Sequence, residues 1–270
     1  MFFCFVYMKI LAVGDPHGKV PSNLPKSVDA VIVTGDIGKA DLARKIAFEN
    51  KKRAKEGLPK LEKTAAQAKA IHSEIHNSTL KVLRTLSRLA PVYLIQGNVG
   101  IPTCSQVAED KRKYGLKLPA TRDAVDKMSN IHLVKNRLRN FNGLRVGFLE
   151  YFIDTSWIRE FRPPEYQKAM VKAKKETDKA RRILDRFGGN LDVLVCHQPP
   201  YGILDKVDFP GVPPGWKGKH AGSKAVLDYV RKYQPKYVLC GHIHEGHGMK
   251  KIGQTEVHNL GSARFKLIEL

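Results

Sequence analysis

Short apolar runs that each end in a residue able to ligate a metal constrain this chain more than anything else in it. Ala30 to Thr34 leads into Gly35-Asp36, Val92 to Gln96 into Gly97-Asn98, and Leu191 to Cys196 into His197. Runs of this length bounded by turn formers read as buried strands. A strand near 8–14 delivers Asp15-Pro16-His17, and one near 236–241 delivers Gly241-His242-Ile243-His244. Oxygen and imidazole donors thus recur at one end of successive strands, the end where an open α/β sheet places its site. In Asp15/His17 and His242/His244 two donors stand two residues apart, which puts both on one side of a strand or its end. Taken singly, a Gly-Asp is a turn and a His after a strand is a core residue. Five such elements in series point to a metal site.

Further strands are expected near 130–134, 143–150, 255–260 and 264–269. Helical stretches between strands predict a layered α/β fold, and the scarcity of long helices in the last third predicts mixed sheets. The interval from Asp36 to Asn98 is long for one crossover. It reads as a basic helix from Asp41 to Glu56, the breakers Gly57 and Pro59, and a second helix from Glu62 to Leu89. In the second, Ile71, Ile75, Val82, Leu83 and Leu86 make one apolar face. The hairpin 41–89 is therefore expected to be an inserted element with Lys51, Lys52, Arg53, Lys55, Lys60 and Lys63 outward, either as a solvated face or as a lid over a substrate or partner. Pro164 to Phe187 reads as a helix ended by Gly188-Gly189. His72 and His76 share a helix face without a suitable third ligand, and read as surface histidines. His132 and His258 read as structural.

At 270 residues and 42% apolar content the chain can bury one large core. No stretch approaches the roughly 20 apolar residues of a membrane span. Residues 1–7 are apolar but lack a basic start and a small-residue cleavage site. They read as an extension of the first strand or a misassigned start, with 8–270 as the domain and a cytoplasmic location expected. Cys4, Cys104, Cys196 and Cys240 are scattered without a CxxC pair, which argues against a disulfide framework. The net charge of +21, from 47 Lys+Arg against 26 Asp+Glu, favours anionic partners. A phosphorylated small molecule or nucleotide fits, and nucleic acid stays open, although no aromatic-interleaved basic motif is present.

With these residues laid out, the pattern resembles the calcineurin-like metallophosphoesterase superfamily. Its motif order, D-x-H, G-D, G-N-H-[DE], a lone His and G-H-x-H, is matched by Asp15-Pro16-His17, Gly35-Asp36, Gly97-Asn98, His197 and Gly241-His242-Ile243-His244. Asn259-Leu260-Gly261-Ser262 resembles the family's turn after the last ligand strand. The resemblance implies a four-layer α/β/β/α sandwich of two mixed sheets flanked by helices. It implies two divalent metals, one held by Asp15, His17, Asp36 and His244, the other by Asp36, Asn98, His197 and His242, with Asp36 bridging. It also implies phosphodiester or phosphomonoester hydrolysis by in-line attack of a metal-bridging hydroxide. Manganese is the working expectation, and Fe, Zn, Co and Ni suit the same donors.

One departure matters. Val99 and Gly100 stand where the family carries a His and the acid that orients it, so a general acid worth ~10²–10⁴-fold is missing while the ligands remain. Among the residues after His197 (Tyr201, Asp205, Lys217, Lys219, His220), His220 is the expected stand-in, with His247 behind it. Two other readings compete with the general phosphoesterase. One is a nuclease or cyclic-nucleotide phosphodiesterase, and the other a metal-bound, non-catalytic interaction scaffold.

Overall fold

In the computed structural model, which describes residues 8–213 and 215–270, eleven strands form two mixed sheets. The strands are β1 (Lys9–Val13), β2 (Ala30–Val33), β3 (Val92–Leu94), β4 (Ile131–Leu133), β5 (Arg137–Phe141), β6 (Leu144–Leu149), β7 (Val193–Cys196), β8 (Tyr237–Cys240), β9 (Gly248–Ile252), β10 (Thr255–Asn259) and β11 (Phe265–Glu269). One sheet runs β11-β1-β2-β3-β4 and the other β5-β6-β7-β8-β10-β9. Both have parallel centres; β11 is reversed against β1, β5 against β6 and β9 against β10, while β4 closes the first sheet as a parallel edge on β3. The expectations for residues 1–7, and for Cys4 among them, lie outside the described residues, as does Pro214.

Alternation along each strand builds the layers. Ile10, Ala12, Ile32, Val146, Phe148, Val193 and Val195 point between the sheets into one shared core. Their neighbours Leu11, Val13, Val31 and Val33 face outward under α2 (Ala65–Leu86), through Leu80, Val82, Leu83 and Leu86. On the far side Leu194, Cys196, Val238 and Cys240 pack under α6 (Tyr166–Phe187) and α7 (Lys224–Tyr233). The result is the four-layer α/β/β/α order implied by the motifs. Each inward methylene contributes about 0.8 kcal/mol of burial.

The remaining helices are α1 (Asp41–Lys55), α3 (Cys104–Tyr114), α4 (Thr121–Asp126) and α5 (Thr155–Phe161). The two halves of the 41–89 hairpin differ in role. α2 is the crossover between the parallel strands β2 and β3, starts at a Thr64–Gln67 capping box, and seats its C-terminal half in the core. α1 is largely exposed. Lys51 does not point into open water: its ammonium lies 4.5 Å from the Trp216 ring. His72 and His76 also depart from expectation, because α4 packs on α2 and covers them. His72 is 6% exposed, its ring stacks on His76 at 5.8 Å, and His76 Nδ1 lies 2.9 Å from Thr121 Oγ1.

Candidate metal centre

Every predicted donor sits just past the carboxyl end of a strand, and the parallel centres of both sheets bring those ends together. Asp15 and His17 follow β1, Asp36 follows β2, Asn98 follows β3, His197 follows β7, and His242 and His244 follow β8. Among the described residues, two sets offer a ligand atom each within 4.8 Å of one another: Asp15, His17 and His244, and Asp15, Asp36 and His197. Asp15 belongs to both sets, so a shared position expected of Asp36 is occupied by Asp15 as well. Asn98 and His242 close the second set, with Asn98 Oδ1 2.7 Å from His197 Nε2 and 2.9 Å from His242 Nδ1.

The backbone is shaped to make this convergence. His17, Asp36 and His242 all hold left-handed angles, φ 44°, 42° and 66°, at a cost of roughly 1–2 kcal/mol each. Gly97 and Gly241 lie where any Cβ would run into the carboxylates of Asp36 and Asp15 respectively. The turn 259–262 buttresses the floor. Asn259 Nδ2 donates to the carbonyls of Leu204 and Ile243, and the Ala263 amide donates to the Asp15 carbonyl.

The donor chemistry fits divalent metal. His197 Nδ1 lies 2.9 Å from the Thr34 carbonyl, an acceptor only, which fixes the proton there and leaves Nε2 with a lone pair. That lone pair faces Asn98 Oδ1, another acceptor. His17 Nε2 and His244 Nε2 are likewise 3.2 Å apart. Neighbouring ligands around a cation at about 2.1 Å stand about 3 Å from one another, the spacing of both pairs. Protonation states agree. Burial pushes the Asp15 carboxyl up, but the His197, His244 and His17 imidazoles outweigh it and hold it well below the usual range. Asp36 is raised by burial, while the Val99 amide donates to its Oδ1 at 2.7 Å. Burial, then the Arg44 guanidinium, lowers His17 to about 4; burial, then His197, lowers His242 to about 3. Both rings are neutral at pH 7, the form that ligates.

Three neighbours of the cluster were not legible beforehand. Thr34 Oγ1 donates to Asp15 Oδ1 at 3.1 Å. The Tyr151 ring stands 5.6 Å from His197 and 5.5 Å from His242, its phenol pushed up to about 12 by burial and by Asp36. Tyr151 and Gly97 also line a cavity of about 480 Å³ beside α6, with Lys172 and Lys179 on its wall. The third is Arg44 of α1, whose Nη2 lies 3.0 Å from His17 Nε2.

The loop residues expected to assist have partners of their own. Asp205 is buried and accepts from the Gly202 and Gly222 amides at 2.9 and 3.0 Å. It also holds His220 Nδ1 at 2.7 Å. Tyr201 and Lys219 donate to Glu160, Lys217 pairs with Asp208, and His247 lies 3.0 Å from Arg264. No described side-chain hydrogen bond joins His220 or His247 to the seven donors.

Comparison with known proteins agrees with this geometry. The sequence model of the calcineurin-like phosphoesterase family matches residues 8–246, and the chain belongs to that family. Metallophosphoesterase domain-containing protein 1 of Homo sapiens is 37% identical over 70 residues, 26% of this chain and 19% of that protein. A UPF0046 protein of Caenorhabditis elegans is 32% identical over 85 residues, 30% of this chain and 19% of its own length. The chain thus matches about a fifth of the length of these curated relatives. The solved structure of phosphopantetheinyl hydrolase from Mycobacterium tuberculosis superposes with a TM-score of 0.52 at 15% identity, covering 94% of this chain and 90% of that one. Another solved structure reaches 0.54 at 17% identity, covering 98% and 99%. Both share the fold. Among the described residues no helix is long and apolar enough to cross a membrane.

Proposed function

We propose that this chain is a dinuclear metal-dependent phosphoesterase acting on a phosphodiester or phosphomonoester. The family carries metal-dependent phosphoester hydrolysis. What supports the finer reading is the face-to-face arrangement of lone-pair donors around Asp15 and Asp36. Asp15, His17, Asp36 and His244 would hold one cation, and Asp36, Asn98, His197 and His242 the other, with Asp15 placed to serve both. Divalent cations there would supply water activation near neutral pH and neutralise phosphoryl charge.

The chain's own residues do the remaining work. Thr34 aims one oxygen of Asp15, and the His242 amide holds the other at 2.5 Å. The Val99 amide orients Asp36, so the position that lost the family's acid still positions a ligand through its backbone. Asn98 is exposed and presents the cluster to solvent. Asp205 orients His220 as a carboxylate orients an imidazole acid, and this pair is our candidate for delivering a proton to the leaving oxygen.

Metal analysis of the reconstituted protein should find two equivalents, and a chromogenic phosphodiester should be cleaved only with metal present. Asp36→Asn should lose at least one equivalent and reduce turnover by 10³-fold or more, since removing a central catalytic group costs about that much. Two bound metals with no turnover on a panel of phosphomonoesters and diesters would instead favour the scaffold reading.

A further inference from the structure

Arg44 stands in the first turns of α1, its amide bonded to the Ala40 carbonyl and its side chain turned toward the cluster. Its Nη2 is 3.0 Å from His17 Nε2 and 3.2 Å from His17 Nδ1. Near-equal distances to both ring nitrogens mean that the guanidinium is aligned with neither lone pair. The Nε2 lone pair is left for the group shared with His244 and Asp36, whose atoms lie 3.2 and 3.7 Å away.

The position of Arg44 is built into the fold. α1 leaves the Asp36 loop directly and is braced further along by two aromatic contacts with the loop after His197. Phe48 meets Phe209 at 6.5 Å, and Lys51 covers Trp216. The acid nearest to Arg44 outside the cluster, Asp41, is exposed and 3.9 Å away, so that pair contributes little. A guanidinium fixed beside the ligands of a divalent cation faces electrostatic repulsion unless an anion lies between the two. The planar N–H fork suits the oxygens of a tetrahedral oxyanion.

We propose that Arg44 forms a phosphoryl-binding seat, donating to a non-bridging oxygen of the substrate's phosphate while that phosphate lies against the metal centre. This rests on the dinuclear reading above and deepens it. α1 then acts by delivering one charge to the reacting group, with its exposed lysines playing no part in the seat.

The test is calorimetric titration of inorganic phosphate into metal-replete protein, with metal content measured on the same samples. Arg44→Ala should keep its metal and weaken phosphate binding by roughly 10- to 100-fold, the size of a charge-assisted hydrogen bond. Arg44→Lys should recover part of the loss. Lys52→Ala, which removes an exposed charge from the same helix, should leave the affinity within about twofold. An Arg44→Ala protein with full metal and unchanged phosphate affinity overturns the seat alone. Equal weakening in Lys52→Ala overturns it too, because the effect is then diffuse charge. Wild-type protein that takes up no metal overturns both the seat and the dinuclear reading.

Discussion

His17 and His242 show how a candidate ligand is prepared before any metal arrives. Each holds a left-handed backbone angle, φ 44° and 66°, and each is neutral because burial disfavours its charged form. That neutrality carries a sign for stability. Unfolded, both imidazoles titrate near 6.5; folded, they titrate near 4 and near 3. Below pH 6.5 the unfolded chain therefore binds protons that the folded chain refuses, and stability falls as pH drops toward 4. The slope is about 1.4 kcal/mol per pH unit for each fully titrating imidazole. Asp36, raised above its usual value by burial, works in the opposite direction, since it gains its proton before the unfolded chain does. Two imidazoles against one carboxylate leave a net loss. Urea midpoints of the metal-free chain should decline from pH 7.5 through 6 to 5, and His17→Asn should flatten the decline; equal midpoints at all three values would sink the argument. The donors themselves were legible because each follows an apolar run. Arg44 was not, because in a segment rich in Lys and Arg nothing local separates a cation turned inward from a solvated one.

Among the elements, strands with an apolar core pattern could be read directly, and the polar edges could not. β5 (Arg137–Phe141) carries mostly polar residues at the sheet edge, so it lacks an alternation to detect. Its signal lay instead in Asn142-Gly143, both at positive φ, the two-residue turn that pairs β5 with β6. β9 (Gly248–Ile252) is hidden in the same way, with Met249, Lys250 and Lys251 exposed on the edge beside β10. The loop between β3 and α3 carries the chemical prediction that belongs to this scale. Val99 gives its amide to Asp36 but has no proton for a leaving oxygen. Aryl esters need that proton least, so they should be preferred over alkyl esters. Val99→His should raise alkyl-ester turnover about tenfold and aryl-ester turnover much less, given the usual size of general-acid effects. If the Asp205–His220 pair supplies the proton, Val99→His will add little and His220→Ala will cost alkyl-ester activity selectively. Alkyl and aryl rates that respond equally to both substitutions would remove the case for a displaced acid.

Over the whole molecule, the candidate centre lies where the two sheets meet. Asp15, His17, Asp36 and Asn98 come from the β1-β2-β3 side, while His197, His242 and His244 come from the β7-β8 side. The sheets are otherwise joined by the apolar layer of Ile10, Ile32, Phe148, Val193 and their neighbours. Beyond the strands, metal–ligand bonds would add to ties such as His197 Nδ1 to the Thr34 carbonyl and the His242 amide to Asp15, so binding should stabilise the entire fold rather than one loop. A ligand that binds only the folded state contributes about 2.7 kcal/mol at a hundred times its Kd. For a chain of this size that corresponds to a rise of very roughly 5–10 °C in melting temperature for each saturated site. Thermal unfolding with saturating manganese or zinc against a chelated sample should show the rise as a single shifted transition. Asp36→Asn should unfold near the chelated wild type and respond weakly to added metal, because it loses the carboxylate without disturbing the apolar layer. A melting temperature indifferent to metal in the wild type, at concentrations where two equivalents are bound, would mean that the cations sit on the fold without joining its halves.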